Sequence, residues 1–396
     1  MSSAIARTLP AMTAVQALVA MGSFALSVLA PQLGVDVQAL GVLGSVMFGV
    51  GALSSLMAGW LIRRCGDLQL AALCMAAVML AMACLALNAM GIGPARWAFW
   101  PAVFLLGFAF GPETPASASV LARVTPLARR PWIFSVRQTG NQIGAMAGSL
   151  LLPLLLVQHA AWPFALVAAL ALAVGLWCLG LVRSDGGAPT IAAPGGSSGL
   201  AELVASPPLR LLTLTMVVYM ATQMSLNFFS MSHAVRHWQL SVPVAAGWLA
   251  LMQGAGLVGR LLWGRVAQRP GMPTLHLLGG LGLAMGATGL LLFLWPGTPP
   301  PAALGVLFLL VGLSASGWNG VMIAELARIA GPARAGAVTG AALLFSYTGI
   351  AIAPLAFAAL GQAFGTDIAF ATLLTATSVM GLALLRRPLR SATPLR

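Results

Sequence analysis

Residues 59–66 read Gly-Trp-Leu-Ile-Arg-Arg-Cys-Gly, and residues 264–271 read Gly-Arg-Val-Ala-Gln-Arg-Pro-Gly. Both spell Gly-x-x-x-x-Arg-x-Gly, and they stand 205 positions apart. Leu121-Ala122-Arg123 and Leu326-Ala327-Arg328 recur at the same offset. Two matches at one spacing mark an internal duplication, a hallmark of membrane transporter folds.

The surrounding composition agrees. Of 396 residues, 60% are hydrophobic and 7% are charged, whereas a soluble globular protein carries about 25% charged residues. Mean hydropathy is +0.96. So few charges cannot cover a water-soluble surface, which excludes a soluble enzyme, a secreted disulfide scaffold and a disordered chain. A spanning helix needs about 20 apolar residues. Breaks at Pro, Gly and Arg clusters delimit twelve apolar blocks: 11–30, 40–62, 68–90, 97–122, 133–157, 161–182, 208–231, 244–265, 273–295, 302–327, 335–360 and 367–386. They are continuous rather than alternating runs, so they predict helices and not a barrel. The first block is long for a signal peptide and is read as a span. The fold class expected is an all-α polytopic membrane protein.

Orientation follows from the arginines, which supply all 20 basic residues. Twelve spans put both termini on one side, and the loops of that side hold sixteen arginines. The opposite loops hold Arg96 and Arg236; Arg137 and Arg260 fall inside spans. Basic residues collect on cytoplasmic loops, so both termini are expected in the cytoplasm. The Gly/Ser/Pro-rich segment 183–207 reads as a cytoplasmic linker between bundles 1–182 and 208–396. The four cysteines, Cys65, Cys74, Cys84 and Cys178, read as apolar thiols.

The duplicated loop signature, the six-plus-six spans and the central loop together resemble the major facilitator superfamily over essentially the whole chain. The resemblance implies a secondary transporter working by alternating access, with two six-helix bundles and a cavity between them. The family's signature is Gly-x-x-x-Asp-Arg-x-Gly; here Arg63 and Gln268 stand where the acid belongs, while Arg64, Arg269, Gly66 and Gly271 are kept. Gly59, Arg63, Arg64, Gly264, Gln268 and Arg269 are therefore the gating candidates, with an altered charge network. FSVRQTGNQIG from Phe134 and WNGVMIAELAR from Trp318 resemble bacterial members of the family. Arg260-Leu-Leu-Trp-Gly264 resembles the eighth span of monocarboxylate and oxalate transporters, where an arginine at this place binds the substrate carboxylate. Spans 3, 6, 9 and 12 are supports in this family, and none of the interior charges falls in one.

Those interior charges carry the functional reading. A charge near the bilayer centre costs about 3 kcal/mol on insertion scales, so it faces a partner or water. Arg260 shares a helical face with Gln253, Gly256 and Gly264, and reads as a substrate ligand or a snorkelling anchor. Arg137 shares a face with Asn141, Gly144 and Gly148, and reads as a second anion ligand or an ion-pair member. Arginine suits carboxylates because its planar fork donates two parallel hydrogen bonds. Glu113 lies ten residues before Arg123, about 15 Å deep, inside Gly111-Pro112-Glu113-Thr114-Pro115. It is read as the proton-coupling residue or as the static partner of Arg137, and the two prolines predict a locally opened helix. Glu325 and Arg328 read as a structural or gating pair.

Tyr219, Gln223 and Asn227 follow at four-residue intervals, and with Asn319 they read as ligand contacts or inter-helix bonds. The glycine row Gly140, Gly144 and Gly148 reads as close helix packing. No metal-ligand spacing, Walker loop or nucleophile–base constellation is present, so neither cofactor nor enzyme activity is expected. The expectation is a proton-coupled symporter of a small carboxylate in the bacterial inner membrane, monomeric, with lipid but no nucleic acid as partner. The alternative is an exporter of amphipathic, drug-like compounds.

Overall fold

The computed structural model describes residues 3–94, 96–126, 130–185, 198–269, 271–331 and 335–386, and every regular element among them is an α-helix. In chain order these are α1 (Ser3–Leu29), α2 (Val37–Cys65), α3 (Asp67–Ala89), α4 (Phe99–Val124), α5 (Arg130–Gln158), α6 (Trp162–Asp185) and α7 (Ser198–Ala205). There follow α8 (Pro207–Arg236), α9 (Val242–Ala267), α10 (Thr274–Phe293), α11 (Pro301–Ala315), α12 (Trp318–Ala330), α13 (Ala335–Phe364) and α14 (Thr366–Leu385).

Among the described residues, eleven segments are long and apolar enough to cross a membrane, with α11 and α12 counting as one. α4 is as long, at 26 residues, but carries Pro112, Glu113, Pro115 and Arg123. It supplies the twelfth span. α7, 8 residues, is too short to cross. It lies inside the segment read as a linker, and it packs against α13 and α8. Leu203 is its anchor, at 5% exposure. Residues 186–197 of the expected linker, and Arg129, Arg334, Arg387, Arg390 and Arg396, lie outside the described residues.

The chain divides into two compact units. The first comprises Met1–Ala193 with Ser241–Ala250; the second comprises Pro194–Leu240 with Leu251–Arg396. In the first, α1 lies along α5, α2 along α4, and α3 against α4 and α6. In the second, α10 packs on α14 and α11, and α8 on α13 and α14.

The duplication is visible in the packing. In the first unit a side chain at Gly107 of α4 would collide with the Met47 carbonyl of α2; in the second, one at Gly312 of α11 would collide with the Met252 carbonyl of α9. Both residues of each contact recur 205 positions on. Small residues at these crossings let backbones touch, which is how spanning helices associate without a hydrophobic driving force. The signature loops repeat too. Gly66 and Gly271 both take positive φ, +90° and +78°, a region glycine enters without steric cost. Glycines 140, 144 and 148 of α5 face Thr13, Ala17 and Met21 of α1, so that row serves close packing.

One expectation is reversed. α4 runs unbroken through Pro112 and Pro115. The break occurs instead at Ser316–Gly317, the positions 205 beyond Gly111–Pro112, where α11 ends and α12 begins. Side-chain N–H groups cover the carbonyls around that break. Trp263 Nε1 donates to Leu313 O at 2.9 Å, Trp318 Nε1 to Ala315 O at 2.8 Å and Asn319 Nδ2 to Ser316 O at 3.4 Å. Backbone groups freed within apolar surroundings need such partners.

Candidate functional site

α4 and α5 bring the two interior charges of the first unit together. Arg137 Nη2 donates to Glu113 Oε1 in an ion pair. The residues are 1% and 3% exposed. The carboxylate accepts two further bonds from α4 itself, from Thr114 Oγ1 at 2.9 Å and Ser117 Oγ at 3.2 Å. Arg137 Nη2 also reaches Thr114 Oγ1 at 3.4 Å, while its Nε has no acceptor among the described residues. Removing one member of such a buried pair costs about 3–5 kcal/mol, because the other charge is left uncompensated. Thr114 and Ser117 were not among the sequence candidates. The signal for Ser117 is its i,i+4 spacing from Glu113, which sets its hydroxyl beside the carboxyl on a helix; Thr114 has no such spacing signal. Asn141, one turn beyond Arg137, is half-buried and donates to Gln142 Oε1 at 3.3 Å. Gln16 of α1 donates to Gln138 Oε1 of α5 at 3.1 Å.

At the signature-loop end, Arg123 Nη2 pairs with Asp67 Oδ1 at 2.9 Å, and Ser119 Oγ donates to Asp67 Oδ2 at 3.2 Å. Asp67 opens α3 and is buried, at 7% exposure. It follows Gly66 directly, so an acid is present beside the loop although Arg63 fills the signature position. Sequence reading missed it by attending to the signature slot alone. In the second unit Arg328 donates to Glu325 through Nε at 2.8 Å and Nη2 at 2.7 Å. The expected Glu325–Arg328 pair is therefore formed, and it is bidentate. Arg63, Arg64, Gln268 and Arg269 are exposed, and Arg64 stacks over Trp60 at 5.1 Å. A side chain at Gly264 would meet open space, and one at Gly59 only Arg63.

The second unit holds a cluster of neutral polar side chains from α8, α9 and α12. Gln223 of α8 accepts from Asn319 Nδ2 of α12 at 3.0 Å and donates to Ser316 Oγ at 3.3 Å. Gln253 Nε2 of α9 donates to Asn227 Oδ1 of α8 at 2.8 Å. Gln223, Asn227 and Gln253 are 1%, 5% and 2% exposed. Tyr219 makes an inter-helix bond, one of the two readings its spacing allowed. It is 0% exposed, its hydroxyl donates to Leu278 O of α10 at 3.1 Å, and its ring meets Trp318 edge-on at 5.6 Å. Eight residues, a net rotation of about 80° at 3.6 residues per turn, separate it from Asn227 on α8. Arg260 sits half-buried in α9, two turns beyond Gln253. Among the described residues no three His, Cys, Asp or Glu side chains gather as metal ligands.

Position 113 in α4 and position 318 in α12 are repeat equivalents, as are 114 and 319. The same place in each half thus carries Glu113 and Thr114 facing Arg137 in one unit, and Trp318 and Asn319 facing Tyr219 and Gln223 in the other.

Solved structures share this architecture. A peptide transporter in complex with sulfate superposes with a TM-score of 0.76, at 16% identity, over 96% of this chain and 94% of its own. A nucleoside transporter gives 0.72 at 13% identity, covering 96% of this chain and 98% of its own. A bacterial homologue of the human lysosomal transporter Spinster, inward-facing and unoccupied, gives 0.70 at 17% identity over 97% of this chain and 95% of its own. No curated protein matches in sequence. The profile of the Major Facilitator Superfamily matches residues 11–354. With that match over most of its length, the chain belongs to the major facilitator superfamily.

Proposed function

We propose that this transporter moves a small organic anion, a carboxylate, together with a proton, with Glu113 as the coupling acid. The buried Glu113–Arg137 pair is the observation that carries the reading. A proton on Glu113 removes the charge that holds Arg137, and the guanidinium is then left to find another anion in a site that tolerates no unpaired charge. A substrate carboxylate supplies it. Proton and anion enter together with no net charge, and deprotonation restores the original pair as the anion leaves.

Arg260 is the second anion ligand in this proposal, its fork matched to a carboxylate. Asn141, Gln253, Asn227, Gln223 and Asn319 provide neutral contacts. The loops with Gly59, Arg63, Arg64, Gly264, Gln268 and Arg269, together with Glu325–Arg328, form the gate. The chain acts as a monomer in a bacterial cytoplasmic membrane with both termini inside, in keeping with its arginine bias. A transporter of the same fold, 14% identical, has been solved in complex with 5-aminolevulinic acid, a carboxylate.

The test is uptake of short radiolabelled monocarboxylates into proteoliposomes. Wild-type protein accumulates one of them when the outside is acidic. Glu113→Gln loses the accumulation but keeps exchange at equal pH. Accumulation that persists in Glu113→Gln places the proton elsewhere. Transport of amphipathic cations with no carboxylate uptake turns the reading to the exporter.

A further inference from the structure

We infer that Asn227 and Gln253 form a neutral oxygen-binding subsite in the second unit, which takes a carboxamide, hydroxyl or keto group of the substrate and disfavours a second carboxylate. The inference deepens the transport reading above and rests on it for the carboxylate held elsewhere.

Gln223, Ser316 and Asn319 satisfy one another: the Gln223 amide spends its oxygen on Asn319 and its nitrogen on Ser316. Asn227 and Gln253 share a single bond, from Gln253 Nε2 to Asn227 Oδ1. Asn227 Nδ2 is buried and has no acceptor among the described residues. Turning both amides over moves the open donor to Gln253 and does not remove it, since one amide–amide bond always leaves one N–H₂ group over. Ser230, one turn further along the same face of α8, is 1% exposed, and its Oγ is likewise without a partner. A buried donor without an acceptor is costly, and such groups are few in native structures. Here one stands on a spanning helix, one turn along α8 from Gln223, which bonds to Ser316 at the break in the α11–α12 span. Broken spans mark substrate sites in transporters.

The chemistry of the occupant follows from what surrounds it. Gln223, Asn227, Ser230, Gln253, Ser316 and Asn319 are all neutral. Arg260 lies seven residues from Gln253, about 10 Å along α9. A carboxylate at the amides would lose its water without gaining a cation, which is far costlier than burying a neutral group. A neutral carbonyl or hydroxyl oxygen accepts the open N–H at no such cost. A carboxylate near Arg260 and a neutral oxygen near Asn227 then describe one ligand held at both ends of a helical face.

The test is binding to the full-length protein purified in detergent. The probes are six-carbon carboxylic acids whose far end is methyl, carboxamide or a second carboxylate, and an uncharged six-carbon primary amide. In wild type the carboxamide-ended acid binds about tenfold more tightly than the methyl-ended one, the worth of one good hydrogen bond, and the dicarboxylate binds most weakly. The double variant Asn227→Leu/Gln253→Met replaces both amides with apolar groups of similar size, so it leaves neither partner stranded. It folds and binds the carboxamide-ended and methyl-ended acids equally. Should the double variant fail to fold, Asn227→Ser gives the same reading. Retention of the preference in the variant, or a wild type that prefers the dicarboxylate, overturns the subsite. If no acid binds better than the uncharged amide, the anion reading falls while the amide still decides the subsite. Its binding lost in the variant supports the subsite, and no binding to wild type overturns it.

Discussion

Arg123 and Arg328 close equivalent helices 205 positions apart, yet each is held by a carboxylate from a different place. Asp67 comes from the start of the neighbouring helix α3, whereas Glu325 comes from one turn earlier in the same helix. The arginines are a repeated feature and their acids are not. The pair in the first unit ties α3 to α4, while that in the second stays within α12. Loss of the two acids should therefore have different consequences.

Asp67→Ala is expected to destabilise the first unit by about 1.5–3 kcal/mol, the range for a hydrogen bond to a charged group. The residue also places a negative charge at the N-terminus of α3, where the helix dipole favours it. Arg123 and Asp67 are largely buried, with side chains 24% and 9% exposed, so the loss is larger than for a surface pair. Asp67→Asn keeps an acceptor for Leu68 N and Arg123, and should recover part of the loss. Glu325→Ala leaves Arg328 with its side chain 49% exposed to rehydrate, and should cost less. Thermal unfolding of the three variants in detergent checks the order; equal shifts for Asp67→Ala and Glu325→Ala would contradict it.

The repeat makes a second prediction about packing. Gly107→Leu and Gly312→Leu each drive a side chain into a backbone carbonyl, of Met47 and Met252, and the helices cannot yield without separating. Overpacking of this kind costs about 1–3 kcal/mol or more. Both variants should lose expression and thermal stability to a similar degree. Gly180→Leu and Gly280→Leu point into open space and serve as controls that should change neither. A tolerated Gly312→Leu with a failed Gly107→Leu would show that the equivalent crossings are not equally tight.

The apolar blocks and the duplicated signature made the all-helical membrane fold and its family legible in the sequence. Periodicity could not reveal the break at Ser316–Gly317, because apolar residues continue on both sides and neither residue is a proline. The prolines drew attention to the wrong half. α4 stays continuous through Pro112 and Pro115 and packs on α2 and α3. The site was legible residue by residue rather than as an arrangement. Glu113, Arg137, Gln223, Asn227, Gln253 and Asn319 were all visible as polar groups inside spans. Which of them meet depends on helix rotation, which hydropathy does not encode. Asp67 was hidden by its position one residue past a familiar pattern.

Arg260 gives the last prediction. It lies nine residues before Arg269, about 13 Å along the helix, and is half-buried on the α9 face that also carries Gln253 and Gly256. A snorkelling anchor needs only positive charge and reach, so lysine should replace it without loss. A carboxylate ligand needs the planar fork, which lysine lacks. Arg260→Lys is therefore expected to weaken binding of short monocarboxylates at least tenfold, and to leave the unfolding temperature and membrane insertion unchanged. Arg260→Gln should abolish binding. Isothermal titration on the purified variants reads the affinity, and thermal unfolding reads the fold. An Arg260→Lys protein that binds carboxylates as wild type does would assign the residue to anchoring and leave Arg137 as the proposed anion ligand, released only when Glu113 is protonated. Tighter carboxylate binding by Glu113→Gln, which mimics the protonated acid, would then identify that route directly.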